Sequence, residues 1–322
     1  MRRLRKAWLA PLLAALTVAA PLPATAAEGG RDAGSIGSIV LTEQASRRIL
    51  VLPADQDAWN AREFTWSWAP SAAGGLGDLV SAWTNPDEAK LTERDGRRYL
   101  MTTASGGFAA VVPYPEGTGA YWAADVGGSN NPHSIELLPD GNVAVAASTG
   151  GWLRVYTASQ GPRSTHYAEY PLVGGHGAVW DDQAEVLWAL GTHELVALRV
   201  GGTPAEPVLT PERVYQLPSK GGHDLQPVPG EPRQLWVTTE SEVLRFDKGT
   251  GRFSKHYRGA RSISDEHVKS VTTNPQTGQV LTVSPQEGHL CTWCSDTVDL
   301  DLPHGDLTLH GAWIYKARWW ND

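Results

Sequence analysis

Five histidines recur along this chain at nearly even intervals, and this recurrence is the feature that most limits how the chain can fold. The five are His133, His176, His223, His267 and His310, and the intervals are 43, 47, 44 and 43 residues. The segment TNPDEAKL extends the series, because it aligns with NNPHSIEL and places Asp87 46 residues before His133. Each interval holds short apolar runs separated by Gly, Pro, Asn and Asp, a pattern typical of short antiparallel strands. A four-stranded repeat of about 40–45 residues is the blade of a β-propeller.

The two ends of the chain predict how the ring of blades closes. The last segment, LHGAWIYKARWW, supplies one strand with no partners after it, and SIVLTEQ, RRILVLP and FTWSWAP supply three strands with no innermost strand before them. Joined in one sheet, these strands complete a blade and leave no open edge at the seam. The sequence therefore predicts an all-β, six-bladed β-propeller closed by N- and C-terminal strands in one blade, with residues 308–318 paired with residues 38–44.

The first 26 residues have the features of a secretory signal peptide. They begin with the basic stretch MRRLRK, continue with a short apolar run and end in the small-residue cleavage site ATA. We therefore predict a signal peptide at 1–26, a flexible lead-in at 27–37 and a single β-propeller domain at 38–320. The protein is expected to be secreted and monomeric, with no membrane span. Its formal net charge of −8 at pH 7, which becomes more negative without the basic leader, argues against nucleic acid as a partner.

Cys291 and Cys294 are the only cysteines of the chain, in the sequence CTWC. In a cytosolic protein such a pair suggests a redox centre or half of a metal site. In an exported chain with no second CxxC, the expected state is a local disulfide that pins a loop. Two free thiols are the alternative.

The start of each innermost strand lies at one mouth of the propeller channel, so the five histidines and Asp87 are expected to ring that mouth. Two interpretations stay open. Histidines inherited with an ancestral repeat can be structural, each with a ring N–H bonded to a neighbouring blade. Alternatively, imidazoles and a carboxylate form a site for a divalent transition metal such as Mn or Zn. The candidate metal ligands are His176, His223 and His267 as the first choice, together with His310 and Asp87.

The blade motif PHSIELLPDGNVAVAAS resembles repeats of virginiamycin B lyase and of related propellers. A histidine-lined metal site at a propeller mouth resembles the oligogalacturonate lyases, which are secreted or periplasmic and generally seven-bladed. Over its full length the chain is similar to a domain-of-unknown-function family of secreted bacterial propellers. The resemblance to the lyases implies β-elimination on a uronic-acid-containing glycan, with a metal on the carboxylate and a neutral histidine or lysine as base. His133 and Lys316 are the candidate catalytic residues.

A second class of function is a non-enzymatic extracellular scaffold that binds a glycan, a peptide or a protein on the same face. The fold alone does not separate these classes. In both, the expected partner is an extracellular glycan or another small ligand at the channel mouth.

Overall fold

Six antiparallel sheets, each of four strands, account for nearly all regular secondary structure in the part of the chain that the structure describes. The structure is a computed structural model, and it describes residues 37–55, 59–60 and 64–320. The predicted signal peptide at 1–26 and nearly all of the predicted lead-in lie outside these residues. Each sheet is one blade, so the predicted six-bladed propeller is confirmed.

Within each blade the strands follow one another outward from the central channel. Numbered in chain order, the innermost strands are β4 (Pro86–Arg94), β8 (Pro132–Leu137), β12 (Gly177–Asp181), β16 (Asp224–Pro227), β20 (Ser270–Thr273) and β24 (Ile314–Trp320). The second strands are β1 (Ser38–Glu43), β5 (Arg97–Ala104), β9 (Val143–Ala147), β13 (Val186–Leu190), β17 (Gln234–Thr238) and β21 (Val280–Val283). The third strands are β2 (Arg48–Pro53), β6 (Phe108–Tyr114), β10 (Trp152–Tyr156), β14 (Glu194–Thr203), β18 (Val243–Asp247) and β22 (Thr297–Asp301). The outermost strands are β3 (Trp66–Trp68), β7 (Trp122–Asp125), β11 (Tyr167–Pro171), β15 (Glu206–Gln216), β19 (Arg252–Ser254) and β23 (Gly305–Thr308).

Helical segments are short in the described residues and lie in connections between strands. They are the single-turn helix α1 (Ala260–Ile263) and the 3₁₀ segments Gly77–Ala82, Gly128–Asn130 and Ala158–Gln160.

The seam of the ring is a blade made from both ends of the chain. Strand β1 pairs antiparallel with β24, with Ser38 opposite Trp320 and Glu43 opposite Ile314. The predicted closure is therefore confirmed, but the C-terminal strand begins at Ile314 rather than at residue 308. Thr308 still belongs to β23, and the chain then turns through Gly311 at a φ of 77°, a conformation that glycine adopts without steric cost.

The burial of each strand follows its place in the blade. Second strands such as β9 are apolar and fully buried, because neighbouring blades cover both of their faces. The outermost strand β11 alternates between exposed and half-buried residues, since only one of its faces meets protein. This difference explains why the apolar runs in the sequence are continuous near the channel and interrupted at the rim.

Large aromatic side chains fill the space between blades. Trp122 of β7 packs with Val145 of β9, and Trp236 of β17 packs with Val271 of β20. Both indoles are fully buried and both donate a hydrogen bond, Trp236 to the hydroxyl of Thr273 at 2.9 Å. Buried Trp side chains usually find such a partner, so these residues serve interblade packing.

Cys291 and Cys294 form a disulfide, which confirms the predicted bond. The described part of the chain contains no helix of the length and apolar character needed to cross a bilayer.

Candidate functional site at the channel mouth

The innermost strands begin with irregular pairing, and this places particular side chains at the channel. On β4 the register shifts between Pro86 and Glu88, and on β8 it shifts between Pro132 and Ser134. The extra residue is Asp87 in the first case and His133 in the second. A bulge of this kind bends the strand and re-aims the side chain of the extra residue. Both residues line a cavity at the channel mouth.

The corresponding residues of the other blades follow from the strand ladders. In three further blades, the residue directly before the inner strand donates its backbone N–H to a carbonyl of the second strand. These bonds join His176 to Leu190, His223 to Thr238 and Lys269 to Val283. On β24, Tyr315 lies in the register shift opposite β1. We call these six residues the mouth ring: Asp87, His133, His176, His223, Lys269 and Tyr315.

His267 and His310, two of the predicted ring members, lie elsewhere. His267 is exposed, two residues before Lys269, with a φ of 60°. His310 lies in the turn after β23 with 91% of its side chain exposed. The expectation that all five histidines share one structural position is therefore corrected to three, because these two histidines belong to the loops that lead into their blades.

The sequence at the start of each inner strand contains a three-residue pattern that identifies the members of the mouth ring. Each ring residue precedes a small or polar residue and then an apolar one, as in HSI, HGA, HDL, KSV, YKA and DEA. Counted this way, the intervals around the ring are 46, 43, 47, 46 and 46 residues. Alignment on histidine alone misses Lys269 and Tyr315.

The three histidines of the ring contact one another in order. The rings of His133 and His176 are stacked with centroids 4.5 Å apart, and those of His176 and His223 meet edge to face at 5.2 Å. His176 Nδ1 lies 2.8 Å from the carbonyl of Gly174, so this nitrogen carries the proton and Nε2 is left as an acceptor. His133 also lies beside Tyr315, with ring centroids 5.6 Å apart.

All three imidazoles are neutral near pH 7. Burial lowers the pKa of His133 well below its ordinary value, and His176 lowers it further. Burial lowers the pKa of His176 to about 4. For His223, burial and then the nearby charge of Lys269 lower the pKa to about 2. The ring therefore offers uncharged donors and acceptors from its three histidines.

Asp87 is buried and held by its neighbours. Ser105 donates to both carboxyl oxygens at 3.0 and 3.1 Å, and Gln44 Nε2 lies 3.4 Å from Oδ1. Burial raises its pKa well above the ordinary value. His133 Nδ1 lies 3.6 Å from Oδ2, too far for a hydrogen bond.

Lys269 is the one cation of the mouth ring. Its Nζ lies 3.2 Å from Nε2 of His223, which as a neutral imidazole nitrogen accepts the hydrogen bond. No carboxylate forms an ion pair with Lys269 among the residues that the structure describes. Burial, with a contribution from Lys316, lowers its pKa to about 8. The side chain is therefore mainly protonated at neutral pH, without a counter-ion.

The cavity at this mouth has a volume of about 390 Å³ and lies over one side of the ring. Four ring members line it, and the remaining wall consists of Asn85, Ser105, Asn131 and Trp293. Two buried atoms of the lining residues have no hydrogen-bond partner within the described structure, Asn131 Oδ1 and His133 Nδ1.

The disulfide loop supplies an aromatic wall to this cavity. Trp293 lies between Cys291 and Cys294, and 46% of it is exposed. Its indole N–H donates to Gln44 Oε1 at 3.0 Å, while the amide of the same glutamine reaches Asp87. One glutamine thus couples the loop to the mouth ring.

Below the ring, four buried charges fill the channel. Arg318 contacts Glu88 and Asp224 with nitrogen–oxygen distances of 2.7–3.0 Å, and Lys316 Nζ lies 3.3 and 3.4 Å from the same two carboxylates. Burial works to raise the pKa of Glu88, but Arg318 and Lys316 outweigh it and lower that pKa. We call these residues the ion-pair plug. Lys316, a predicted catalytic residue, therefore lies beneath the mouth and is engaged in two ion pairs.

A family model matches residues 32–322, and its description is "Family of unknown function (DUF6528)". The chain belongs to this family. The match covers all six blades and carries no assigned activity. No curated protein matches the chain.

Solved structures with a similar fold have very different sequences. A protein of unknown function from Bacteroides caccae superposes with a TM-score of 0.51 at 10% identity, over 88% of this chain and 98% of that one. A chain from the crystal structure of a nidogen/laminin complex superposes with a TM-score of 0.54 at 12% identity, over 87% of this chain and 97% of that one. At such identities the likeness concerns the fold alone.

The donor set does not fit the predicted metal site. Among the described residues, no group of three or more His, Cys, Asp or Glu side chains is placed to hold a metal ion. Of the predicted ligands, only His176 and His223 contact each other, and Asp87 is held by Ser105.

Proposed function

We propose that this protein binds a carboxylate-bearing sugar, such as a uronic acid residue of an extracellular glycan, at the mouth ring. The observation that carries the proposal is the buried Lys269 ammonium, which borders the cavity and has no carboxylate partner among the described residues. A carboxylate of a ligand would supply the missing counter-charge.

The energetics of burial favour this assignment. A buried charge is costly unless it is paired and hydrogen-bonded. The plug residues Lys316 and Arg318 meet that condition through Glu88 and Asp224, whereas Lys269 has only the neutral His223. Burial and the charge of Lys316 lower the pKa of Lys269, and Glu240 only partly offsets them because it forms no ion pair with this lysine among the described residues, so a ligand carboxylate at the ammonium would be favourable.

The rest of the cavity suits the hydroxyl groups of a sugar. The wall carries the polar side chains of Asn85, Ser105 and Asn131. His133 borders the same cavity, and Trp293, which is 46% exposed, adds an aromatic side chain. Aromatic faces with polar groups beside them are the usual composition of a small-ligand site. A volume of about 390 Å³ holds one or two sugar residues.

The same geometry favours a second candidate function, β-elimination at the bound uronate. His133 is the one imidazole of the mouth ring that borders the cavity, so it is the candidate base for the proton of a bound uronate. His133 would remove the proton from the carbon that bears the carboxylate, while Lys269 stabilises the negative charge that develops on the carboxylate. The electron pair forms a carbon–carbon double bond, the glycosidic oxygen departs, and water supplies a proton to it.

An extracellular location accords with the disulfide and with the predicted signal peptide. Disulfides persist in oxidising compartments and are rare in the cytosol. The proposed ligand is therefore a component of an extracellular glycan.

Binding is tested by calorimetric titration with galacturonate and glucuronate, and with galactose and glucose as uncharged counterparts. We expect the acids to bind and Lys269→Met to weaken them by roughly tenfold or more, since hydrogen bonds to charged groups contribute about 1.5–3 kcal/mol. The matched control is Lys255→Met, which removes an exposed lysine that pairs with Glu242. Equal affinity for acidic and neutral sugars, or unchanged affinity in Lys269→Met, would refute the proposal.

Elimination is tested separately with oligogalacturonate, by following the ultraviolet absorbance of an unsaturated product. The enzymatic proposal expects product from the unaltered protein, and none from His133→Ala at substrate concentrations that saturate this variant. Binding without any product would leave the protein as a glycan-binding scaffold.

A further inference from the structure

The cavity at the channel mouth has a closed floor. Four members of the mouth ring line it, Asp87, His133, Lys269 and Tyr315, and each of them is at most 9% exposed. Beneath them, Lys316 Nζ lies 3.4 Å from the carbonyl oxygen of His133, and the Lys316 side chain is 1% exposed. The ion-pair plug thus fills the channel under the cavity, so a ligand that enters at the mouth cannot continue through the propeller.

The sides of the cavity are also occupied by protein. Its lining residues come from the four blades whose inner strands are β20, β24, β4 and β8, and these blades are consecutive around the ring. The remaining two blades supply His176 and His223 to the mouth ring. Their imidazoles continue from His133 as a row of contacting rings, and this row takes up the part of the mouth beside the cavity.

The opening of the cavity lies at its rim. Asn85, Ser105 and Asn131 are half-buried, and Trp293 is 46% exposed. Exposure therefore increases from the ring residues to the rim, as in a pocket that is entered from one side. A ligand carboxylate must enter this pocket to reach Lys269, because that side chain is buried.

The shape of the pocket restricts which residue of a polysaccharide reaches Lys269. A residue within a chain carries glycosidic bonds on two sides of its ring, so two lengths of chain would have to leave the pocket. A terminal residue carries one such bond and needs one exit. The volume of about 390 Å³ holds one or two sugar residues, which matches the end of a chain and leaves no room for a chain that passes through.

We propose that the mouth cavity recognises the terminal residue of an acidic glycan rather than residues within the chain. This inference rests on the proposed function, since it takes the acidic sugar as the ligand and adds which part of a polymer is bound. The terminal residue enters with its carboxylate at Lys269, and the rest of the glycan leaves the pocket past the exposed Trp293.

The number of chain ends provides the test. A sample of polygalacturonate is divided, and one half is shortened by partial acid hydrolysis, which creates chain ends at a constant total number of sugar residues. Both samples keep chains much longer than the protein is wide, and calorimetry measures how much protein each sample binds at saturation. We expect the bound protein to double when the average chain length is halved. Lys269→Met should lose binding to both samples, and the control Lys255→Met, which removes an exposed lysine paired with Glu242, should bind both as the unaltered protein does.

Two results would overturn the chain-end inference alone. One is that galacturonate binds while the amount of protein bound by the polymer stays the same after its chains are halved. The other is a crystal structure with trigalacturonate in which the central residue, instead of a terminal one, places its carboxylate at Lys269. If neither galacturonate nor any of its oligomers binds, the proposed function itself fails, and the two failures are thereby distinguished.

Discussion

The affinity for an acidic sugar should fall at alkaline pH, because Lys269 loses its charge there. Burial and Lys316 lower the pKa of Lys269 to about 8, so the ammonium is present below this value and is lost above it. A uronate carboxylate is ionised throughout this range, with a pKa of about 3.5. The fraction of Lys269 that is protonated falls about tenfold between pH 7 and pH 9 and about a hundredfold by pH 10.

The dissociation constant for galacturonate should rise in the same proportion, as measured by calorimetry from pH 6 to pH 10. The ring histidines add no pH dependence to the affinity between pH 6 and pH 10, because the pKa of His176 is about 4 and that of His223 about 2. Lys269→Arg is the decisive control, since a guanidinium stays protonated. If this variant binds at pH 7, its affinity should stay level to pH 10. A level profile in the unaltered protein, or an equal decline in Lys269→Arg, would refute the assigned role of Lys269.

Three further predictions concern the plug, the disulfide and metal. Arg318→Met should lower the free energy of unfolding by about 3–5 kcal/mol, measured in urea, because it leaves the buried Glu88 and Asp224 with fewer partners; a loss below 1 kcal/mol would show that the plug is not stabilising. Replacement of Cys291 and Cys294 by serine should lower the free energy of unfolding by only about 2 kcal/mol, because the disulfide closes a short loop. It should also weaken the binding of acidic sugars, because it frees the loop that carries Trp293. Unchanged affinity would contradict the role of this loop in the site. Treatment with a chelator should leave galacturonate binding unchanged, since the described residues hold no group of metal ligands; loss of binding with recovery on addition of Mn or Zn would reinstate the metal site.

The sequence predicts the number of blades and their closure because each blade repeats the same physical requirement. Every blade needs an inner strand, two buried strands and a rim strand, so the apolar pattern returns at each repeat. The terminal segments supply one inner strand and three outer strands, so counting strands predicts that they share a blade. The pairing of β1 with β24 agrees with this count.

The residues that form the mouth ring are harder to predict from the sequence than the number of blades. The loops that enter the inner strands differ in path from blade to blade, so a histidine at the right interval is not always at the right position. His267 precedes the ring position by two residues, and Lys269 occupies it. The triplet pattern at the strand starts is visible in the sequence, but only the strand ladders establish which residue of each triplet faces the channel.

The central claim is that the mouth ring is a site for an acidic sugar, and a crystal structure of the protein with galacturonate tests it most directly. The account predicts one sugar in the mouth cavity, with its carboxylate within about 3 Å of Lys269 Nζ and its ring close to Trp293. Density for water alone at this mouth under saturating galacturonate, or a carboxylate directed away from Lys269, would contradict it.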